Sequence, residues 1–184
     1  NGNEYTRHGT YTEPLIEQVY INASRKTHGD ETFKCEFPGL TVHPVWGMFA
    51  YSPDGEATQE GQKFLVEFKA PVRDALYKPK IAGEANIPAY YRSQIQFGMW
   101  LLDLPCCDFT VYTKSSMRTE RYARDDTYIE WMLGKIFPFY FNRYLPCLVA
   151  KEQGWLPEGA FNAEEYCVVE KVTPRDYLNL KKFQ

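Results

Sequence analysis

The chain has 184 residues, the length of one ordinary domain with a sizeable core. Its formal net charge of -3 gives no global basic field for a polyanion, although a local basic groove would suffice for DNA binding. The five cysteines are odd in number and lack C-x-x-C spacing, which argues against a zinc knuckle or a disulfide framework and favours reduced thiols in an intracellular, cytoplasmic protein. No signal peptide or membrane-spanning apolar run is visible, so we expect no membrane partner. Because the chain opens at Asn1 without Met, we also expect that an N-terminal part is missing.

A helix is predicted from Thr12 onward. Its apolar residues recur at helical spacing: Leu15, Ile16, Val19 and Tyr20. Thr12 and Pro14 would supply a cap and a first-turn proline. Glu13 and Glu17 lie one turn apart, where acids are usually solvated. Glu13, in the predicted first turn, could instead aim its carboxylate into a cleft.

Short strands are predicted next, beginning as a meander. Residues 33–37 and 40–42 form two strands joined at Pro38-Gly39, and the apolar residues 47–51 form a third. The third strand ends in the turn Ser52-Pro53-Asp54-Gly55. We expect it to pair with the apolar strand 63–70, which Pro71 stops, and so to bring Asp54 near Glu67.

The strand 63–70 is predicted to be central and to carry Glu67 and Lys69 on one face, because side chains at i and i+2 point to the same side of a strand. A buried ionised carboxylate needs a partner or a metal. A salt bridge between Glu67 and Lys69 is the ordinary explanation of such a pair. With Asp54 on the preceding turn, however, the same groups could hold a divalent metal and a water, as phosphodiester hydrolysis requires.

Beyond the central strand the sequence is basic and then helical. The segment 72–86 is either a solvated loop or an arm that follows phosphates. A helix with proline at each end is predicted over 88–104. Gln94 and Gln96 are not on one face of it, so at most one can point at the cleft. A strand over 107–113 and an aromatic-rich helix from Asp126 to about Tyr144, which Pro138 could kink, complete the readable part.

Four motifs occur in a fixed order: Gly9-x-x-x-Glu13, Ser52-Pro53-Asp54-Gly55, Glu67-Phe68-Lys69-x-Pro71 and Tyr90-x-x-x-Gln94-Ile95-Gln96-x-x-Met99-Trp100. This series resembles the lambda-exonuclease (YqaJ-type viral recombinase) family of the PD-(D/E)XK nuclease superfamily. Two features depart from the family pattern. Ala70 stands where the family usually has Cys, and the N-terminal region that helps grip the 5′ end of DNA is short or absent.

The resemblance implies an α/β fold with a restriction-endonuclease-like core, in which helices flank a mixed central β-sheet over residues 1–184. It implies that Asp54, Glu67, the Phe68 backbone carbonyl and Glu13 bind metal, with Glu13 near a second metal position. Lys69 would orient or activate the attacking water, and Gln94 would bond to Lys69 or to the nucleophile. The hard oxygen ligands favour Mg²⁺ or Mn²⁺.

The implied activity is hydrolysis of double-stranded DNA ends from 5′ to 3′, in recombination or viral DNA processing, inside a host cell if the protein is viral. A single-strand annealing protein and a homo-oligomer are possible partners. The basic residues predicted to bind DNA are Arg73, Lys78, Lys80, Arg92, Arg118, Arg121 and Arg124.

Three alternatives stay open at this point. A structure-selective or restriction-type endonuclease would use the same carboxylate–lysine centre and would cut a closed circle. A viral nuclease acting on RNA as well as DNA is excluded by no residue. A non-catalytic nucleic-acid-binding module could have kept the fold, although Asp54, Glu67 and Lys69 are all present. A nuclease with an iron–sulfur cluster is disfavoured by the cysteine spacing.

Overall fold

The computed structural model describes residues 4–28, 33–72 and 87–154. The chain, for which length predicts a single domain, divides into two compact units, residues 1–125 and residues 126–184. Each unit is described by itself.

The first unit contains helices α1 (Glu4–His28) and α2 (Ala89–Leu101). Its strands are, in chain order, β1 (Lys34–Glu36), β2 (Thr41–Val42), β3 (Ala50–Tyr51), β4 (Gly55–Gln59), β5 (Gln62–Lys69), β6 (Cys106–Tyr112) and β7 (Met117–Ala123). One sheet has the order β1-β4-β5-β6-β7, and β2 pairs with β3 in a small second sheet. In the larger sheet only β5 and β6 run parallel. The predicted mixed α/β fold is therefore confirmed.

Strand β5 is the middle strand of the larger sheet, as predicted. Its residues 64–68 are all buried, as expected for a strand covered on both faces. It ends at Lys69, two residues before Pro71, which has no N–H to extend the ladder.

Helix α1 covers one face of this sheet. Ile16 and Tyr20, each 1% exposed, pack with Val66 and Phe68 of β5. The Tyr20 and Phe68 rings meet edge to face with centroids 5.5 Å apart. Tyr20 Oη also donates a 2.7 Å hydrogen bond to Asp108 on β6, which fixes the height of α1 along the sheet.

Helix α2 covers the opposite face, the one that carries Glu67. Its Ile95 and Met99 are fully buried, and the Tyr91 ring lies 5.6 Å from the Phe109 ring. Phe109 is the register partner of Glu67, so its side chain shares a face with that carboxylate.

The predicted pairing of residues 47–51 with residues 63–70 is wrong. Residues 50–51 form β3, which pairs with β2, whereas β5 pairs with the unpredicted strand β4. The sequence pattern did not predict strand β4, because the strand is short and includes the polar residues 56, 58 and 59. The turn between β4 and β5 has positive φ at Glu60 and Gly61, as tight hairpins require. The expected meander is also not formed, since β1 and β2 belong to different sheets.

The predicted start of the first helix is also wrong. Helix α1 begins at Glu4 and contains Pro14, so Thr12 and Pro14 are not its cap and first-turn proline. Thr12 Oγ1 instead donates a 2.7 Å hydrogen bond back to the His8 carbonyl within the helix. Pro14 has no N–H and therefore removes one backbone hydrogen bond of the helix. The burial of Ile16 and Tyr20 compensates for this loss and stabilises the helix beyond the proline.

The second unit is helical in its described part. Helix α3 (Asp126–Phe139) is followed by a π-helical turn (Tyr140–Tyr144) and by α4 (Leu145–Glu152). Pro138 lies in the last turn of α3, and the helix type changes from α to π at Tyr140. The predicted kink at Pro138 stays a prediction. Within the described ranges, we found no helix with both the length and the apolar character needed to cross a bilayer.

Candidate active site

A cavity of about 450 Å³ lies at the carboxyl end of β5. Helix α1 contributes Glu13 to its wall, the turn before β4 contributes Asp54, and α2 contributes Tyr90 and Tyr91. Lys69, the last residue of β5, also lines the cavity. Residues of all four motifs, which are distant in sequence, thus meet at one place.

Glu67 is the most enclosed charged group of the site, with 1% of its surface exposed. Its Oε1 accepts hydrogen bonds from Lys69 Nζ and from Gln94 Nε2. Its Oε2 accepts a 2.8 Å hydrogen bond from Tyr51 Oη. Both oxygens therefore have donors, which offsets the cost of burying a carboxylate.

Asp54 lies beside the same lysine. Its Oδ2 is 3.8 Å from Lys69 Nζ and accepts a 2.7 Å hydrogen bond from the Phe68 backbone N–H. Both carboxylates are thus within 4 Å of one ammonium group. In an extended strand the N–H and C=O of one residue point to the same side. The Phe68 carbonyl therefore faces the edge of β5 at which Asp54 lies.

Burial, and after it the crowding of acids, shifts the pKa values of the site residues. Burial raises the pKa of Glu67 to about 7, and Asp54 adds to the rise while Lys69 opposes it. Burial lowers the pKa of Lys69, but Glu67 and Asp54 outweigh this effect and raise it, so the lysine stays charged. Burial and then Asp54 raise the pKa of Glu13. Additional positive charge in the cavity would relieve this crowding.

The donor set fits a hard divalent cation. Two carboxylates, from Asp54 and Glu67, and the Phe68 carbonyl offer oxygen ligands of the kind that Mg²⁺ and Mn²⁺ prefer. Among the described residues no three acidic, histidine or cysteine side chains form a ready cage. Glu13 lines the cavity but is not gathered with the other two. This arrangement suits Mg²⁺, which commonly takes one or two protein carboxylates and completes its shell with water.

The two predicted glutamines diverge, as expected from their spacing. Gln94 reaches the site, but it donates to Glu67 rather than to Lys69. Gln96 is buried elsewhere, where Nε2 donates to the Ala123 carbonyl at 2.9 Å and Oε1 accepts from the Asp125 backbone N–H at 2.8 Å. Gln96 therefore joins α2 to the end of β7.

The basic residues predicted to bind DNA do not form an unpaired patch within the described residues. Arg73, Lys78 and Lys80 lie outside those residues. The four described arginines each pair with a carboxylate: Arg92 with Asp125 at 3.1 Å, Arg118 with Glu120 at 3.0 Å, Arg121 with Asp108 at 2.6 Å and Arg124 with Asp103 at 2.8 Å. Their role in DNA binding stays a prediction.

Arg121 is placed least favourably for such a role. It makes two hydrogen bonds to the buried carboxylate of Asp108, and its guanidinium lies 4.2 Å from the Phe64 ring centroid. Its register partner is Asp108, so it shares the face that α1 covers rather than the face of Glu67.

Three residues of the site were missed from the sequence. Tyr51 looked like an apolar strand end, and only its place before the Asp54 turn could have signalled a role. The Tyr91 ring lies 5.0 Å from Lys69 Nζ, a cation–π contact. Gly98 lies so close to Tyr51 that an added Cβ would be 2.5 Å from the ring.

Comparison with known proteins places these observations in a family. Residues 1–105 match the YqaJ-like viral recombinase domain. No curated protein sequence matches the chain. The crystal structure of the alkaline exonuclease LHK-Exo from Laribacter hongkongensis is similar, with a TM-score of 0.61 and 24% identity over 82% of this chain and 77% of that chain. Its complex with dAMP has a TM-score of 0.61 and 25% identity, covering 82% and 76%. The chain belongs to the YqaJ-like viral recombinase domain family and shares its fold with alkaline exonuclease.

Proposed function

We propose that this protein is a metal-dependent deoxyribonuclease that degrades double-stranded DNA ends from 5′ to 3′. The observation that carries the proposal is the convergence of Asp54, Glu67 and Lys69: the Lys69 ammonium contacts both carboxylates, and Asp54 and Lys69 line one cavity. Membership of the YqaJ-like viral recombinase domain family and the fold of an alkaline exonuclease support a nuclease.

Asp54, Glu67 and the Phe68 carbonyl would hold Mg²⁺ or Mn²⁺, and Glu13 would face a second metal position. A divalent ion bound there would polarise the phosphoryl group and lower the pKa of a water. The protein's own contribution is to hold these oxygens in place at the cavity that Asp54, Phe68 and Glu13 line.

Lys69 supplies the fixed positive charge of the reaction. Its side chain is 17% exposed and its ammonium stays protonated, so it can hydrogen-bond the attacking water and offset the charge that builds on the phosphoryl oxygens. As the water oxygen bonds to phosphorus and releases a proton to solvent, the bond from phosphorus to the departing sugar oxygen breaks, and that oxygen takes up a proton. Gln94 and Tyr51 hold the Glu67 carboxylate in place during these events.

The substrate proposal draws on the relatives. One similar structure is an alkaline exonuclease, and another holds dAMP, a deoxynucleotide. The family's description as a viral recombinase suits an enzyme that exposes a 3′ strand for a single-strand annealing partner. A homo-oligomer encircling DNA would add processivity to such an enzyme.

The test is an incubation of the purified protein and Mg²⁺ with three substrates: linear duplex labelled at its 5′ ends, the same duplex labelled at its 3′ ends, and a covalently closed circle. We expect early release of 5′ label as mononucleotides, late release of 3′ label and an intact circle. Replacing Mg²⁺ by Ca²⁺ should preserve DNA binding without turnover, because the looser calcium shell positions water poorly.

Other outcomes identify other functions. A cut circle would indicate an endonuclease, and early release of 3′ label would reverse the proposed direction. A folded protein that binds DNA but hydrolyses nothing with Mg²⁺ or Mn²⁺ would be a binding module. Hydrolysis that persists in EDTA would overturn the metal dependence.

A further inference from the structure

Tyr90 is an exposed aromatic residue inside the candidate site. It lies in the first turn of α2 and lines the cavity, while 66% of its surface remains exposed. Single exposed aromatics are common on protein surfaces and usually need no explanation. The position of this one, on the wall of the cavity that holds Lys69, distinguishes it.

Two contacts connect the Tyr90 ring to the reactive groups. The Tyr90 and Tyr91 rings have centroids 4.3 Å apart at 56°, and the Tyr91 ring lies 5.0 Å from Lys69 Nζ. Helix α2 also carries Gln94, one turn beyond Tyr90, which bonds to Glu67. The ring is therefore held by the same rigid helix that orients the carboxylate.

We propose that Tyr90 is a stacking platform for a nucleobase beside the phosphate that is cleaved. The inference rests on the proposed function, which places that phosphate at Asp54, Glu67 and Lys69. Every base has a π face, so such a platform would accept all four bases and would suit an enzyme that removes nucleotides one after another. Phosphate contacts alone do not hold the base of the reacting nucleotide.

The experiment is a cycle that removes the ring and the base separately and together. Tyr90→Ala is combined with duplexes in which the 5′-terminal nucleotides are replaced, one at a time, by an abasic analogue. Binding is measured by fluorescence anisotropy in Ca²⁺, and hydrolysis is measured in Mg²⁺. Stacking on one base predicts about a tenfold loss of affinity for Tyr90→Ala on ordinary DNA. It predicts a similar loss for the wild-type protein at one abasic position, and no further loss when both changes are combined.

Matched variants separate stacking from a general loss of structure. Tyr90→Phe and Tyr90→Trp keep a ring and should keep wild-type affinity. Tyr11→Ala removes an 84% exposed tyrosine of α1 that does not line the cavity, and it should change nothing. Additive losses at every position, or a loss in Tyr90→Phe equal to that in Tyr90→Ala, would overturn the platform.

The result also distinguishes this inference from the function on which it rests. If the wild-type protein cleaves no DNA, but the losses of affinity from Tyr90→Ala and from the abasic position are not additive, the stacking proposal stands and the proposal of a nuclease is wrong. If the wild-type protein cleaves DNA but the two losses of affinity are additive, the proposal of a nuclease stands and the stacking proposal is wrong. A wild-type protein that neither binds nor cleaves DNA would overturn both.

Discussion

Tyr51 Oη donates a 2.8 Å hydrogen bond to Oε2 of Glu67, the carboxylate oxygen that Lys69 and Gln94 do not contact. We predict that Tyr51→Phe lowers hydrolysis about tenfold at limiting Mg²⁺, since a buried carboxylate loses one donor and is held less firmly. A Mg²⁺ titration of the rate measures the effect.

Tyr122→Phe is the matched control for that variant. The Tyr122 hydroxyl also donates to a carboxylate, that of Glu120 on the same strand, but Glu120 is not one of the proposed metal ligands. An equal change in the Mg²⁺ requirement of both variants would show that Tyr51 has no special role.

Lys69→Met should lower the rate of hydrolysis by at least about a hundredfold, because the fixed positive charge at the phosphoryl group is lost. Divalent metal should bind as well as before or more tightly, since the ammonium no longer contacts both carboxylates. Calorimetry with Mn²⁺ measures the affinity. Lys63→Met, which removes the exposed partner of Glu56 on β4, should leave both properties unchanged. Loss of metal binding in Lys69→Met would contradict the prediction.

The stability of the metal-free protein should fall as pH rises from about 4.5 to about 7. Burial raises the pKa of Glu67 from 4.5 to about 7, so in this window the folded state binds more protons than the unfolded state. The free energy of unfolding therefore decreases as pH rises through this window, by at most about 1.4 kcal/mol for each pH unit. Urea unfolding in EDTA at pH 5, 6 and 7 measures the slope. Glu67→Gln should flatten it, and an equal slope in both proteins would refute the assignment.

Gly98→Ala should destabilise the protein by about 1–3 kcal/mol and weaken hydrolysis as well. The new Cβ would lie 2.5–2.7 Å from two ring atoms of Tyr51 and 2.9 Å from its hydroxyl oxygen, so the side chain that donates to Glu67 must shift. Urea unfolding measures the stability. Gly134→Ala in α3 is the control, because a Cβ there meets nothing within 4 Å and should be neutral or stabilise by up to about 1 kcal/mol. Equal effects in the two variants would exclude crowding at Tyr51.

Arg121→Gln should lower stability by about 1–3 kcal/mol without changing the salt dependence of DNA binding. Asp108, which is 6% exposed, would keep Tyr20 as a donor but lose a bidentate partner. Arg118→Gln, at a more exposed pair, should cost less than about 1 kcal/mol. A flatter salt slope in Arg121→Gln would instead support the predicted DNA contact.

The sequence predicted the middle of the fold better than its edges. Strand β5 was found because the apolar residues 64–66 and Phe68, shortly before Pro71, indicate a covered strand or a short buried helix, and the length of the segment favours a strand. Strand β4 was missed because it has few apolar residues and owes its place to hydrogen bonds with β5. Helix α1 continues through Pro14 because tertiary burial outweighs the local break, which sequence periodicity does not show.

The candidate site shows the same division. Asp54, Glu67 and Lys69 were identifiable as candidates from their motifs. How the three side chains contact one another depends on the fold of the whole unit. Tyr51 and Gly98 could not be found this way, since an aromatic side chain and a glycine carry no chemical signal until the backbone brings them together. The pairing of the arginines with acids is likewise a property of the folded chain.

The close approach of Gly98 to Tyr51 restricts how this lineage can diverge. A side chain larger than hydrogen at position 98 is compatible with a small residue at position 51 but not with the tyrosine in its present place. Homologues should therefore vary at these two positions in concert, and those that have exchanged the tyrosine must orient the carboxylate equivalent to Glu67 by other means.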